Sequence, residues 1–154
     1  MSLWVVLARA FAAIQARVAE EIRRHDLTPG EFGVLEALYH TGPQLLGELK
    51  RRVLVSSGGM TYLVDRLEAR KLVTRAAAPG DRRARLAMLS PQGKAMIENI
   101  FPAHARDLSH VMGGLTPAEQ QQARRLLRRL GTYAAELSEN RFQATPELIE
   151  EDST

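Results

Sequence analysis

Residues 55–68, VSSGGMTYLVDRLE, are the part of the chain that decides its fold. The apolar residues of this stretch recur at spacings of three and four and therefore share one helical face: Met60, Leu63, Val64 and Leu67. Small and polar residues begin the other face, and Ser56 or Ser57 is suited to cap the helix. A short helix predicted over roughly residues 44–52 precedes it, so the pair forms a helix-turn-helix pattern.

A β-hairpin is predicted directly after this second helix. Residues 72–75 and 85–89 form stretches short enough to be strands, and Pro79-Gly80-Asp81 provides turn chemistry between them. A hairpin that follows a helix-turn-helix would be the wing of a winged-helix domain.

Long amphipathic helices are predicted on both sides of this unit. The first has apolar residues on one face: Leu3, Leu7, Phe11, Ile14, Val18 and Ile22. The second starts at the capping box of residues 28–31, Thr-Pro-Gly-Glu, and runs to about His40. A further helix runs from Pro91 to about Met112. The last starts at a second Thr-Pro-x-Glu box, residues 116–119, and has apolar residues as far as Leu137.

Charge is distributed unevenly along the chain. Residues 50–94 contain eleven Lys and Arg against three acidic residues, a net charge of +8, whereas the remaining residues have a net charge of −5. A strongly basic segment inside a chain with a net charge of only +3 is where a polyanion would bind. Nucleic acid is therefore the first partner to consider.

Length and composition indicate the class of protein, its location and its redox chemistry. A length of 154 residues and a hydrophobic content of 45% are typical of a globular protein. One domain spanning residues 1–154 is therefore expected. The chain has neither an apolar run of the length of a membrane span nor the pattern of a signal peptide, so a cytoplasmic location is expected. With no cysteine, a disulfide, a thiolate ligand and a thiol switch are excluded.

Three stretches carry a resemblance to a known family: the helix-turn-helix residues 55–68, Asp81-Arg82-Arg83 and Leu89-Ser90-Pro91-Gln92-Gly93. With them the chain resembles the MarR family of winged-helix regulators over nearly its whole length. This resemblance implies a mainly α fold: a winged helix-turn-helix at residues 28–90 with a two-stranded wing, and helical dimerisation regions at 1–26 and 91–138. Residues 139–154 would be an acidic, flexible tail. The resemblance also implies a homodimer on a palindromic operator, with ligands bound between the dimer helices and the DNA-binding lobe.

Lys71 departs from the family pattern, which usually has glycine just past the recognition helix. Glycine suits a left-handed cap there. A lysine in that conformation would cost on the order of 1 kcal/mol, so a different helix end is the alternative.

The candidate DNA-contacting residues lie on three elements. Small and hydroxyl-bearing residues at the start of the recognition helix can approach base edges, Arg66 farther along suits a phosphate, and Arg83 can enter a minor groove while Asp81 holds its guanidinium. The simpler alternatives are a serine that only caps, a solvated hairpin tip and a solvated charge run. The candidates are Lys50, Arg51, Ser56, Ser57, Gly58, Thr61, Tyr62, Arg66, Asp81, Arg82, Arg83 and Arg85.

The sequence supports an effector pocket, a metal site and a catalytic site less well than a DNA-binding site. Trp4, Phe11, Tyr39 and Phe101 could line an effector pocket, although core and dimer packing explains each of them as well. His104 and His110 are six residues apart rather than the three or four of a helical zinc pair, and no catalytic motif or phosphate-binding glycine loop is present. No metal, cofactor or enzymatic activity is therefore expected.

The sequence predicts a sequence-specific DNA-binding transcriptional regulator, a homodimeric repressor released from double-stranded DNA by a small apolar, aromatic or phenolic effector. Two alternatives remain open: a winged-helix protein-interaction module without specific DNA binding, and an enzyme with a site in the dimer cleft.

Overall fold

The computed structural model describes residues 1–53, 57–78 and 80–143, without the side chains at 57, 58, 81–83 and 138–143. Its elements are α1 (Leu3–Arg23), α2 (Pro29–Thr41), β1 (Gln44–Leu45), α3 (Leu46–Val53), α4 (Ser57–Ala69), β2 (Val73–Ala78), β3 (Asp81–Leu89), α5 (Pro91–Met112) and α6 (Pro117–Gln143). The predicted winged helix-turn-helix is confirmed: α3 and α4 are its two helices, and β2 and β3 form the wing. Contacts divide the chain into one unit that ends at Val111 and another that begins at Met112.

The sheet has three strands instead of the two that were predicted. β1 pairs antiparallel with β3, Leu45 opposite Leu86, and the strand order is β1-β3-β2. The prediction that a helix begins near Gln44 was therefore wrong, and α3 begins at Leu46. Gly42, with φ 72°, ends α2, and Pro43 lacks the N–H that a continuing helix would need, so the chain enters the sheet in extended form.

The wing strands are longer than the predicted segments. β2 pairs with β3 from Val73 opposite Leu89 to Ala78 opposite Asp81, with an irregularity between Ala77 and Ala78. Gly80 has φ 81°, a left-handed conformation that fits the predicted turn, and Pro79 lies outside the described residues. The three arginines at positions 82, 83 and 85 therefore all lie within β3 of the hairpin.

The recognition helix α4 ends in a Schellman motif with lysine at the left-handed position. Lys71 has φ 60°; its N–H donates to Glu68 O at 2.8 Å, and the Leu72 N–H donates to Leu67 O at 2.9 Å. The chain therefore keeps the usual helix end with a non-glycine residue in it. Two backbone hydrogen bonds and the burial of Leu72 offset the conformational cost.

Gly93 is required where the first turn of α5 meets the start of the wing. A Cβ at this position would lie 1.9 Å from the carbonyl oxygen of Leu72. Ser90 holds the two segments together, because its Oγ donates to Lys71 O at 2.6 Å and accepts from the Gly93 N–H at 2.9 Å. The segment Leu89-Ser90-Pro91-Gln92-Gly93 thus joins α5 to the end of the recognition helix.

The hydrophobic core of the first unit lies among α2, α4, the sheet and α5. Met60, Val64 and Leu67 are buried as the periodicity predicted. α1 contributes only its C-terminal end, since Ile22 is buried whereas Leu3 is 71% and Phe11 62% exposed. Most of the apolar face of α1 is therefore uncovered in a single chain.

The second unit contains α6, which runs five residues past the predicted limit at Ser138. Its apolar residues stay exposed: Leu126, Leu127, Leu130, Tyr133 and Leu137. Its N-terminus is the second capping box, in which Thr116 N–H and Oγ both donate to Glu119 Oε2, at 2.8 and 2.7 Å. These bonds lower the pKa of Glu119. None of the helices described is long and apolar enough to cross a membrane.

Candidate nucleic-acid interface

The first turns of α4 present the candidate base-reading residues. Thr61 and Tyr62 are exposed, Tyr62 at 59%, while Met60 and Val64 beside them face the core. Helical periodicity thus separates the residues that hold α4 in place from those that are accessible to a partner. Thr61 also makes an interaction of its own within the chain.

The side chains of several predicted DNA-contacting residues are outside the described part of the structure. Ser56 lies outside the described residues, and at Ser57 and Gly58 only membership of α4 is described. Asp81, Arg82 and Arg83 belong to β3, again without described side chains, so the predicted pairing of Asp81 with Arg83 remains a prediction.

A buried carboxylate of α2 binds two arginines, one in α4 and one directly after its end. Glu31 is fully buried; its Oε2 accepts the Thr28 N–H at 2.8 Å, while its Oε1 lies 3.0 Å from Arg66 Nε and 3.9 Å from Arg70 Nη1. The Oε1 contacts are ion pairs without hydrogen-bond alignment. Arg70 Nη1 also donates to Asp26 O at 2.7 Å. A buried charge needs such compensation, so Glu31 holds α4 to the start of α2.

Arg66 also contacts the exposed Tyr62, one turn earlier on the same helix. Its Nη1 donates to Tyr62 Oη at 3.3 Å, and its Cζ lies 5.7 Å from the centroid of the tyrosine ring. The Tyr62 hydroxyl and, second, the Glu31 carboxylate raise the pKa of the Arg66 guanidinium. The residue that the sequence suggested as a phosphate contact is therefore engaged on two sides within the protein.

The other side of α4 is tied to the wing. Arg75 of β2 pairs through Nη2 with Asp65 and, with Nε 3.6 Å from Oε2, with Glu68. None of these three residues was predicted as a site residue, and Glu31 was predicted only as part of a capping box. Each of these pairs joins residues of two different elements, and no helical or strand periodicity indicates them.

The predicted DNA-contacting cations of α3 and the wing differ from one another in exposure. Arg51 and Arg85 are exposed, whereas Lys50 is partly buried and has an interaction within the chain. Arg51 and Arg85 are therefore accessible to a polyanion. Arg66 and Arg75 are only partly accessible, because each is paired with a carboxylate.

A cavity of about 700 Å³ lies between α1, α2 and α5 within the first unit. Its wall is mainly apolar, with Phe11 and Val18 from α1 and Phe32 and Ala37 from α2. Polar side chains also line it: Gln15, Glu36, His40, Thr41, Arg52 and His104. An apolar cavity of this size with a few polar groups suits a small organic ligand.

His104 is the buried polar side chain of this cavity. It is 6% exposed, its Nδ1 lies 2.9 Å from Glu21 Oε2, and its ring centroid is 4.5 Å from that of Phe32. From the sequence, His104 was considered only as a metal ligand. Within the described part of the chain no group of three or more potential ligands could hold a metal ion.

Of the four predicted pocket aromatics, Phe11 lines the cavity and the other three lie elsewhere. Trp4 is 72% exposed on α1. Tyr39 and Phe101 pack against each other with ring centroids 5.8 Å apart, and each also contacts His40.

Comparison with known proteins gives a consistent result. The family model described as MarR family matches residues 25–84. The HTH-type transcriptional regulator MhqR of Bacillus subtilis is 37% identical over 134 residues, 87% of this chain and 92% of that protein.

Two solved structures extend the comparison. A structure of Bordetella bronchiseptica BpsR, described as concerning regulation of its DNA binding by 6-hydroxynicotinic acid, has a TM-score of 0.75 and 31% identity, and the match covers 84% of this chain and 98% of that one. A mutant MarR from E. coli in complex with operator DNA has a TM-score of 0.76 and 26% identity, over 83% of this chain and 92% of that one.

Proposed function

This chain belongs to the MarR family of transcriptional regulators, and on that premise we propose that it is a homodimeric repressor that binds palindromic operators through α4 and the wing. The observation that carries the proposal is the joint placement of α4 and the wing. Thr61 and Tyr62 are exposed on α4, and Arg75 ties that helix to the hairpin that contains Arg82, Arg83 and Arg85. Similarity to a MarR structure with operator DNA supports the same assignment.

Exposed apolar surface supports the homodimer. Leu3, Trp4 and Phe11 of α1 are more than 60% exposed, and α6 exposes Leu126 and Leu130 among others. Apolar surface of this extent on two long helices is typical of a surface covered by another chain. Two copies related by a twofold axis would present two recognition helices to half-sites about 34 Å apart, which accounts for a palindromic operator.

The cavity lined by Phe11, Phe32 and His104 supports a small apolar or phenolic effector. α1 and α2 both form its walls, so a ligand there contacts the C-terminal half of α1 and the helix that holds α4 through Glu31. A ligand that favours a dimer spacing unsuited to the operator would release DNA. A net coupling of about 1.4 kcal/mol between ligand and operator suffices for a tenfold change in occupancy.

Selection of bound genomic fragments in vitro tests the DNA-binding assignment. The expected result is enrichment of one palindrome, with affinity that falls steeply between about 50 and 200 mM salt. Tyr62→Ala should change which sequence is preferred, whereas Arg85→Ala should weaken binding to all sequences. A protein-interaction module would enrich no sequence and show a shallow salt dependence, and that result would overturn the proposal.

The same operator serves to test release. Calorimetry with phenols and aromatic acids, with and without operator, should find ligands that bind the free protein more tightly than the complex. Phe11→Ala should weaken this binding, whereas Trp4→Ala is the matched control because Trp4 does not line the cavity. Equal ligand affinity in both states would refute regulation through this cavity.

A further inference from the structure

The fully buried Glu31 has a separate task for each carboxylate oxygen. Oε2 accepts the Thr28 N–H and completes the capping box, a purely local function. Oε1 lies against Arg66 of α4 and Arg70, the residue that follows α4, and contributes nothing to the cap. A cap alone requires neither burial nor arginine partners, as the exposed second box at Thr116 and Glu119 demonstrates.

The contact between Arg66 and Tyr62 has a defined direction. Arg66 has only donors, so Tyr62 Oη must be the acceptor in the 3.3 Å contact with Arg66 Nη1. The hydroxyl hydrogen of Tyr62 is then available to donate elsewhere. Since Tyr62 is 59% exposed, that donor lies on the accessible side of α4.

We propose that Glu31 and Arg66 form a strut that fixes Tyr62 as a hydrogen-bond donor toward an acceptor atom of operator DNA. Arg66 is then a positioning residue and not an independent phosphate contact. The acceptor is a base-edge atom such as purine N7 or guanine O6, or else a phosphate oxygen. This inference rests on the proposed binding of DNA through α4.

The rigidity of the strut follows from its buried end. Arg66 is half exposed and would by itself lose side-chain entropy on holding Tyr62. Glu31, packed in the core and held by Thr28, provides a fixed anchor for the guanidinium. A tyrosine with its hydroxyl already oriented loses less freedom on contact with DNA.

A double-mutant cycle on the full-length dimer tests the strut, with the operator found by selection. Tyr62→Phe removes one donor per half-site and should reduce operator affinity about tenfold. Arg66→Gln and Glu31→Gln should each give a loss of similar size in the wild-type background. Neither should add to the loss in the Tyr62→Phe background, because both act through the Tyr62 hydroxyl.

The salt dependence distinguishes the strut from the alternative role of Arg66. A positioning residue leaves the slope of log affinity against log salt unchanged. A phosphate contact on each subunit would lower that slope by about two in Arg66→Gln, and its loss would add to that of Tyr62→Phe. The second pattern would overturn the proposal.

Glu119→Gln is the matched control for Glu31→Gln. Both changes leave an amide oxygen that can accept the threonine N–H, but only Glu31 is paired with arginines. The control should keep wild-type affinity. Arg66→Gln, at a half-exposed position, keeps the test decisive should Glu31→Gln unfold the chain.

Two further readouts separate the acceptor types and the two proposals. Operator with 7-deazaguanine should abolish the effect of Tyr62→Phe if the acceptor is N7, and methylphosphonate linkages should abolish it if the acceptor is a phosphate oxygen. A wild-type protein that selects no operator refutes the proposed function. A wild-type protein that selects one, but for which Tyr62→Phe is neutral, refutes only the strut.

Discussion

Replacing Gly93 by alanine would place a methyl group 1.9 Å from the carbonyl oxygen of Leu72. Contacts of Cβ below 3.0 Å are essentially never found, so the two backbones would have to separate by at least about 1 Å. That movement would strain the two bonds that join the segments, the Ser90 N–H bond to Leu72 O, at 3.1 Å, and the Ser90 Oγ bond to Lys71 O, at 2.6 Å.

The expected cost combines two effects. Overpacking a close contact costs about 1–3 kcal/mol, and a weakened hydrogen bond adds about 1 kcal/mol. We therefore expect Gly93→Ala to lower the free energy of unfolding by on the order of 3 kcal/mol. Because domains are stable by only about 5–15 kcal/mol, the midpoint of thermal unfolding should fall by roughly 6–12 °C.

Urea unfolding followed by circular dichroism, at one fixed protein concentration, measures this loss. Gly47→Ala is the matched control, because Gly47 is in α3 of the same unit and a Cβ there meets nothing within 4 Å. The control should be neutral or slightly stabilising, since alanine favours a helix. Equal unfolding midpoints for the two variants would refute the argument from close approach.

Three further outcomes are expected. Lys71→Gly should raise the free energy of unfolding by up to about 1 kcal/mol, because glycine adopts φ 60° without the steric cost of a Cβ. Lys71→Ala should not raise it, and equal effects of the two changes in urea unfolding would contradict this prediction. Arg17, 2.8 Å from Asp107, lowers the pKa of that carboxyl. Arg17→Gln should therefore destabilise the protein at neutral pH, and its difference from wild type should vanish as pH falls through the pKa of folded Asp107, measured by unfolding at several pH values. Trp4→Glu should shift the dimer toward monomer in sedimentation, and an unchanged dimer would place the interface elsewhere.

The sequence predicted the helices well because helix formation leaves a local signal. The spacing of Met60, Val64 and Leu67 identified the buried face of α4, and the capping box at Thr28 fixed the start of α2. β1 left no such signal: two residues become a strand only because β3 lies beside them. A pairing between residues more than forty positions apart cannot be inferred from local periodicity.

The charge that the candidate site offers a partner differs from the charge counted along the sequence. The segment with a net charge of +8, residues 50–94, contains α4 and the wing. It overstates what that segment offers a polyanion, because Arg66, Arg70 and Arg75 are paired with carboxylates, two of which belong to α4 itself. Counting charges along a chain treats each as solvated, whereas folding neutralises those that become partners.

The two Thr-Pro-x-Glu boxes illustrate the same limit within one chain. Both glutamates accept the N–H of their threonine at 2.8 Å, and both begin a helix as the motif predicts. Of these two glutamates, only Glu31 is buried beneath another helix, so only its second oxygen pairs with arginines, one in α4 and one directly after it. The motif determines the first oxygen and the tertiary fold determines the second. A local motif can therefore locate the start of a helix, but whether its carboxylate also governs a distant binding surface depends on what packs above it.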